Sequence, residues 1–230
     1  MIPPRLSRLG ELGWLVAFEP RLDPAVNAHV LALAARLRDA AIPGVRDIVP
    51  AVASLAVHVE RHEDAVRAGE TIAQLLAESA EPPPDAAAGR LIELPVRYGG
   101  ADGPDLADVA AECGLEPRDV VRRHVEAEYR VFMLGFLPGF PYLGVVNPAI
   151  QVSRRAEPRA RVPAGAVGLA GPMTGVYPVE GPGGWRIIGR TPVRLFEPDA
   201  PRPALLQPGD RVRFVPVDIE PATHAHRART

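Results

Sequence analysis

Glycine and proline divide the sequence from residue 130 to residue 217 into short apolar pieces. Examples are VPAGAVGLAG, WRIIGR and RVRFVPV, and no helical spacing of apolar residues survives after Tyr129. Short strands joined by glycine and proline turns are typical of closed β-structures, because closure leaves no unpaired strand edge. The second half of the chain therefore predicts a β-barrel.

Apolar positions in the first hundred residues alternate between strand spacing and helix spacing. The predicted elements are a strand at 14–18, a helix at 26–37, strands at 45–49 and 54–60, a helix at 63–79 and a strand at 92–98. This β-α-β-β-α-β order is the split βαβ or ferredoxin-like pattern.

The chain is thus predicted to be α+β, with two domains and a tail. The ferredoxin-like domain covers 1–90, or extends to about 99 if the strand at 92–98 is its fourth. The β-barrel domain covers 91–220 and begins with two short helices at 105–113 and 117–128. Residues 221–230, which end in THAHRART, are expected to be a flexible tail.

All 26 basic residues are arginine. The absence of lysine excludes a Walker A phosphate loop, a Schiff-base or biotin-accepting lysine, and the serine and lysine nucleophile system of amidases. Cys113 is the single cysteine, so an intramolecular disulfide and a thiolate metal cluster are also excluded. The histidines show no metal-binding spacing, and no metal site is predicted.

The balance of charge and hydrophobicity is that of an ordinary soluble protein. A net charge of −2 suggests neither nucleic acid nor an anionic membrane as a partner. We find no apolar run of membrane-spanning length and no signal peptide. The expected location is the cytoplasm.

The run GFLPGFPYLG at 135–144 places large apolar side chains on an irregular backbone. Phe140, Tyr142, Tyr177 and Trp185 all lie among glycines, as expected for an aromatic cleft for a small molecule or for a protein docking face. The alternative is that a small barrel needs glycine at its corners and proline at its edges.

Two further features allow a functional and a structural interpretation. Arg154, Arg155, Arg159 and Arg161 lie within eight residues, which suits a carboxylate or phosphate site or a solvated strand edge. His124 follows an apolar helix position, so it is either a general base or a hydrogen-bonded core residue.

Several long motifs in order resemble the family of 5-oxoprolinase B subunits, also called the allophanate hydrolase subunit 1 or kinase-A-inhibitor-like family. They are YGGxxGPDL (98–106), GFLPGFPYLG (135–144), RVPAGAVG (161–168), TGVYP (174–178), PGGW (182–185), IIGRTP (187–192) and PGDRVRF (208–214). The resemblance extends less sharply to PAVASLAVHVE (50–60) and so covers nearly the whole chain.

The resemblance implies a cyclophilin-like barrel after the ferredoxin-like domain. It also implies an enzyme component that acts with two partners, a C subunit similar to allophanate hydrolase subunit 2 and an A subunit of the LamB/YcsF type. The complex would open 5-oxo-L-proline to L-glutamate at the expense of ATP, with Mg²⁺ and with the nucleotide shared among the subunits.

Other functions stay open under the same resemblance. One is a regulatory protein that inhibits a sensor histidine kinase, and another is one component of a urea- or allophanate-type amide carboxylase or hydrolase. Prolyl isomerase activity by analogy to cyclophilin has little support, because a fold alone does not carry a function.

We expect the enzyme site to form at the barrel loops. His124 and Arg159 are the predicted catalytic residues. The predicted substrate-binding residues are Phe140, Pro141, Tyr142, Pro163, Gly165, Tyr177, Gly183, Gly184 and Trp185. Ala166 and Met173 stand where the family pattern has serine and glutamine, which places the substrate's identity in question.

Overall fold

The computed structural model describes residues 3–78 and 89–217, and its N-terminal region is a four-stranded antiparallel sheet with two helices. The strands lie in the order β1-β2-β4-β3. The elements are β1 (Arg5–Arg8), β2 (Gly13–Ala17), α1 (Pro24–Asp39), β3 (Val45–Pro50), β4 (Ser54–Val59) and α2 (His62–Ala77).

Helix α1 begins at a well-formed N-cap. The Asp23 carboxylate accepts a hydrogen bond from the Ala25 N–H, and Pro24 occupies the first turn, where its missing N–H costs nothing. The helix buries a stripe with helical spacing that ends at Leu37, as the sequence predicts. Helix α2 buries Ile72 against the same sheet, but its Val66 is 60% exposed.

The predicted β-α-β-β-α-β order of elements is confirmed from β2 to the strand at 92–98, but that strand does not belong to this sheet, so its place in a ferredoxin-like sheet is wrong. Strand β5 (Leu91–Tyr98) pairs in parallel with β13 (Arg211–Pro216) and antiparallel with β12 (Arg186–Arg190), within the barrel. The edge beside β2 is taken instead by β1, which the sequence pattern missed. Period-two alternation shows which face of a strand is buried, and it does not identify the sheet that the strand joins.

The second region is a closed barrel of seven strands, which confirms the predicted α+β class and the predicted barrel. The strand order is β10-β7-β6-β13-β5-β12-β9, closed by pairing of β9 with β10. Besides β5, the strands are β6 (Glu128–Leu134), β7 (Pro141–Gly144), β9 (Ala166–Ala170), β10 (Met173–Val176), β12 (Arg186–Arg190) and β13 (Arg211–Pro216). Its cyclophilin-like character stays a prediction.

Short elements cover the barrel. Helices α3 (Leu106–Cys113) and α4 (Pro117–Val125) and a 3-10 helix (Pro148–Ile150) contribute apolar residues to the barrel core. Strands β8 (Arg159–Val162) and β11 (Gly181–Gly183) form a separate two-stranded sheet. The predicted tail at 221–230 lies outside the described residues.

A buried asparagine links the two regions. Asn27 on α1 is fully buried, and its side-chain N–H groups donate to the backbone oxygen of Phe132 on β6, at 2.9 Å, and to two carbonyls of the N-terminal region. Its side-chain oxygen accepts a hydrogen bond from Arg130 Nε at 3.1 Å. Because both ends of the amide are satisfied, this polar contact fixes the barrel against α1.

None of the helices in 3–78 or 89–217 has both the length and the apolar character needed to cross a membrane.

Candidate functional site

The predicted aromatic residues do come together, but in a closed cluster. Phe140, Tyr177 and Trp185 are at most 6% exposed, and their rings meet edge to face. Partly exposed Tyr142 joins them at 5.1 Å from Phe140, measured between ring centroids. The cluster therefore fills the space that the sequence suggested as a cleft, and substrate binding by these rings stays a prediction.

The two positions that depart from the family pattern also lie at this cluster. Ala166 is buried in it and Met173 packs against it, so both replace polar groups with apolar contacts. Gly183 is needed beside it, because a Cβ there would lie 2.1 Å from the Tyr177 hydroxyl oxygen. Gly184 stands next to Pro158, whereas Pro141 begins β7 and is buried.

One aromatic ring extends from the cluster into solvent. Phe136 is 60% exposed and contacts Phe140 and Tyr177 edge to face, with centroids at 5.7 and 6.3 Å. Its φ of 64° lies in the left-handed region, which costs a non-glycine residue about 1–2 kcal/mol. Such strain is concentrated at functional sites, and this residue presents an apolar surface beside the cluster.

His124 lies inside the barrel and has partners for both ring nitrogens. Its Nε2 is 3.0 Å from the Thr174 hydroxyl, which donates its own proton to Gly168 O, so Nε2 carries the hydrogen. Its Nδ1 then accepts from the Tyr98 hydroxyl at 2.8 Å. The ring also stacks on Phe214 at 4.5 Å.

The surroundings of His124 favour the core interpretation. Complete burial lowers its pKa to about 3, so the ring is neutral at physiological pH. Burial also raises the pKa of Tyr98, which keeps that hydroxyl protonated as a donor. A catalytic role for His124 stays a prediction, and it would require substrate to reach a side chain with no exposed surface.

The anion that pairs with the arginine-rich segment is a carboxylate of the same chain. Asp105, 1% exposed, receives two hydrogen bonds of 2.7 and 2.8 Å from Arg159 and one of 3.1 Å from Arg155. The backbone N–H of Ile187 also donates to it at 2.6 Å. Burial opposes ionisation, but the hydrogen bonds from Arg159 and Ile187 outweigh it and lower the pKa of Asp105. The pairing accounts for Arg159 structurally, and Arg161 pairs separately with Glu180.

A second group of arginines lines an open cleft of about 280 Å³ on the barrel. Its lining contains three arginines and no carboxylate. The lining residues are Arg97, Ala164, Gly165, Pro178, Arg190, Thr191, Pro192, Val193 and Arg194. Of the predicted substrate-binding residues, Gly165 alone is in this set, and Pro163 is an exposed residue two positions before it.

The cleft and the aromatic cluster share one wall. Gly165 N–H donates to Tyr177 O at 2.7 Å, and Thr191 N–H donates to Gly165 O at 2.9 Å. Gly165 has a φ of 81°, and a Cβ there would lie 2.1 Å from Thr191 O. Glycine is therefore required for this close approach of two backbone segments.

Sequence patterns did not identify Arg97, Arg190 and Arg194 as site residues. Arg97 and Arg190 are far apart in sequence and meet only because β5 pairs with β12. The run IIGRTP contains Arg190 and was the available signal. Among the described residues, no group of three or more His, Cys, Asp or Glu side chains is placed to hold a metal ion.

Comparison with known proteins gives two consistent results. The family profile described as carboxyltransferase domain, subdomain C and D, matches residues 4–206. A protein from Escherichia coli O157:H7 that is named as the B subunit of 5-oxoprolinase is 46% identical over 213 residues, covering 92% of this chain and 95% of the relative. The protein of the same name from Bacillus subtilis strain 168 is 39% identical, covering 97% and 96%.

Solved structures support the fold. The crystal structure of TTHA0988 superposes with a TM-score of 0.78 at 39% identity and matches 90% of this chain. This chain spans only 40% of TTHA0988. The Kluyveromyces lactis urea amidolyase gives a TM-score of 0.73 at 20% identity over 93% of this chain and 15% of that one, a likeness of fold alone.

Proposed function

The chain belongs to the family of 5-oxoprolinase B subunits, within the carboxyltransferase domain subdomain C and D family, and we propose that it is one component of an ATP-dependent 5-oxoprolinase. The observation that carries the proposal is 46% identity to a protein of that name over 95% of its length. In this proposal the complex converts 5-oxo-L-proline to L-glutamate, and the C and A subunits of the enzyme are the partners.

The chemistry explains why such an enzyme consumes ATP. An unstrained lactam is a poor electrophile, and transfer of a phosphoryl group from ATP to its amide oxygen makes the ring carbonyl carbon susceptible to attack by water. The ring C–N bond then breaks, the nitrogen leaves as the amine, and inorganic phosphate is released. Arginine side chains and backbone N–H groups are suited to stabilise the charge that develops on that oxygen. Arginine side chains also recognise a substrate carboxylate, and the open arginine cleft supplies three of them.

In this proposal the nucleotide binds to a partner protein or to a surface that this chain shares with a partner. This chain has no lysine for a phosphate loop, and a cleft of about 280 Å³ is near the lower limit for a small-molecule pocket. Mg²⁺ would accompany the nucleotide there, because it is usually held by carboxylates together with substrate phosphates.

Phe136 supports the need for a partner. Its exposed ring continues the aromatic cluster onto the surface, and aromatic residues are enriched at protein interfaces. We place the contact with the C subunit at this loop, next to β7 and the aromatic cluster.

Reconstitution tests the proposed function. The full chain is mixed with the purified C and A subunits, and ATP hydrolysis dependent on 5-oxo-L-proline is measured together with glutamate formation. We expect activity with all three proteins and loss of it when this chain is omitted. Equal activity without this chain would rule the proposal out.

A pair of substitutions tests the partner surface. Phe136→Ser should weaken association with the C subunit at least tenfold while the isolated chain stays folded, because a central aromatic residue often dominates an interface. Val66→Ser is the matched control, since Val66 has the same exposed fraction of 60% on the other region of the chain. Equal association of both variants would contradict this placement.

A further inference from the structure

The arginine cleft holds more positive charge than the chain compensates. The antiparallel pairing of β5 with β12 sets Arg97 directly opposite Arg190, and like charges at opposed positions destabilise a sheet. Asp102 offsets one of them through a 2.8 Å hydrogen bond from Arg97 Nε. Arg190 Nε donates to the carbonyl of Ala164, which carries no net charge.

Arg194 adds a third guanidinium. Over 3–78 and 89–217 its side chain forms no hydrogen bond or ion pair, although it also lines an adjoining concavity with Glu197 and Asp199. A free guanidinium presents five N–H donors in a planar fork that matches a carboxylate or a phosphate. The arrangement is therefore that of a site for an anion supplied from outside the chain.

The cleft is also organised in advance. Its wall at Gly165 and Thr191 is fixed by backbone hydrogen bonds. The Thr191 hydroxyl accepts a hydrogen bond from Val193 N–H at 3.2 Å, and its own proton remains available for donation. Binding therefore requires little ordering of the backbone, and the ordering cost falls on the side chain of Arg194.

The volume and the lining residues of the cleft indicate which class of anion it can bind. The volume of about 280 Å³ suits a molecule of amino-acid size, and the walls between the arginines are apolar at Pro178, Pro192 and Val193. We propose that this cleft binds the carboxylate of a small cyclic amino acid, which under the proposed function is 5-oxo-L-proline. The inference deepens that function and rests on it for the identity of the ligand.

The proposed role is binding and positioning. The carboxylate of 5-oxo-L-proline does not react, so its contacts are the same in the ground state and in the transition state. Removal of one arginine should therefore raise KM and leave kcat nearly unchanged. A role of these arginines in the chemical step would lower kcat instead.

The experiment compares Arg190→Gln and Arg194→Gln with the control Arg213→Gln. Arg213 is a barrel arginine whose side chain has the same 43% exposure as that of Arg97, and it pairs with acidic residues away from the cleft. Each full-length variant is checked for folding by thermal unfolding. Calorimetry then measures binding of 5-oxo-L-proline, of 2-pyrrolidinone, which lacks the carboxylate, and of inorganic phosphate.

We expect the wild-type chain and Arg213→Gln to bind 5-oxo-L-proline and to bind 2-pyrrolidinone far more weakly. Each cleft variant should lose about tenfold to a hundredfold in affinity, the range for one charged hydrogen-bonding group. In the reconstituted complex the same variants should raise KM by a similar factor.

Unchanged binding and KM in both folded cleft variants would overturn the inference while the proposed function survived. Tighter binding of phosphate than of 5-oxo-L-proline would also overturn it. An inactive wild-type complex would end the proposed function. Even in that case, binding of 5-oxo-L-proline by the isolated chain that is lost in the arginine variants would support the proposed binding site in the cleft.

Discussion

Two groups of arginines on the same barrel differ in where their anions come from. Arg155 and Arg159 close around Asp105, which lies within the chain and is almost completely buried. Arg97, Arg190 and Arg194 line an open cleft, and among the described residues Arg97 alone of the three pairs with a carboxylate, Asp102, which is outside the lining. The first group stabilises the fold, whereas the second has guanidinium groups that can still bind an anionic ligand.

The contrast shows what an arginine-rich segment means. The first group is conspicuous in the sequence because its members lie within a few residues, yet its charge is already neutralised. The second group is assembled from β5, the end of β12 and the segment after it, and no short sequence motif contains all of its arginines. An anion site is therefore recognised by uncompensated charge in three dimensions.

The largest expected effect is on the closed group. Asp105→Ala should reduce the free energy of unfolding by about 3–5 kcal/mol, because it leaves two guanidinium groups and a backbone N–H without their buried acceptor. Urea unfolding measures the loss. Asp102→Ala is the control and should cost at most about 1 kcal/mol, since the Arg97 pair is partly exposed. Similar losses in both variants would remove the distinction between the two groups.

The next effect concerns the wall of the cleft. Gly165→Ala should destabilise the chain by about 2–4 kcal/mol, through the left-handed φ and the overlap of the new Cβ with Thr191 O. Gly171→Ala has a positive φ of 55° with no atom within 4 Å of the added Cβ, so about 1 kcal/mol is expected there. Thermal unfolding of both variants separates the steric overlap of the new Cβ, present only in Gly165→Ala, from the backbone strain that both share. Equal shifts in the melting temperatures of the two variants would contradict a close-packed wall.

His124 predicts a dependence of stability on pH. Its pKa is 6.5 when unfolded and about 3 when folded, so the unfolded chain binds the proton first as pH falls. Stability from this residue is complete above pH 6.5 and declines below it, with a slope that approaches about 1.4 kcal/mol per pH unit. His124→Gln should flatten the profile of unfolding free energy between pH 6.5 and 5. His62→Gln controls for the loss of a histidine, and an identical profile in His124→Gln and wild type would show that His124 is not buried neutral.

The smallest effect is expected at the exposed ion pair between Arg161 and Glu180. Arg161→Gln should change the free energy of unfolding by less than about 1 kcal/mol, because both side chains are more than half exposed. A larger loss in urea unfolding would mean that this arginine belongs with Arg155 and Arg159 as a structural residue.

Much of the fold follows from the sequence. Helix α1, the strands after it and the barrel are predicted by apolar spacing and by glycine and proline punctuation. The sheet of β5 is predicted wrongly because a strand need not pair with the elements that precede it in sequence, and β5 pairs with β13 and β12. Strand β1 was missed because RLSR contains a single apolar residue and gives no alternation.

The wrong sheet predicted for β5 also prevents prediction of the arginine cleft from the sequence. If β5 belonged to the N-terminal sheet, Arg97 would not lie beside Arg190, and the two become neighbours only through the pairing of β5 with β12. The aromatic residues were correctly grouped, but sequence cannot show whether rings face a cavity or fill it. For His124, the two interpretations differ only in burial, which depends on every strand around it.

The Asn27 contact also limits how the protein can be dissected. A fragment that held the four-stranded sheet alone would expose the amide of Asn27, and a barrel alone would lose the acceptor for Arg130 Nε. Each half would therefore leave a buried polar group without the partner that it has in the intact chain. Partner mapping should therefore rely on point substitutions in the intact polypeptide, and truncated pieces should not be trusted to report its native associations.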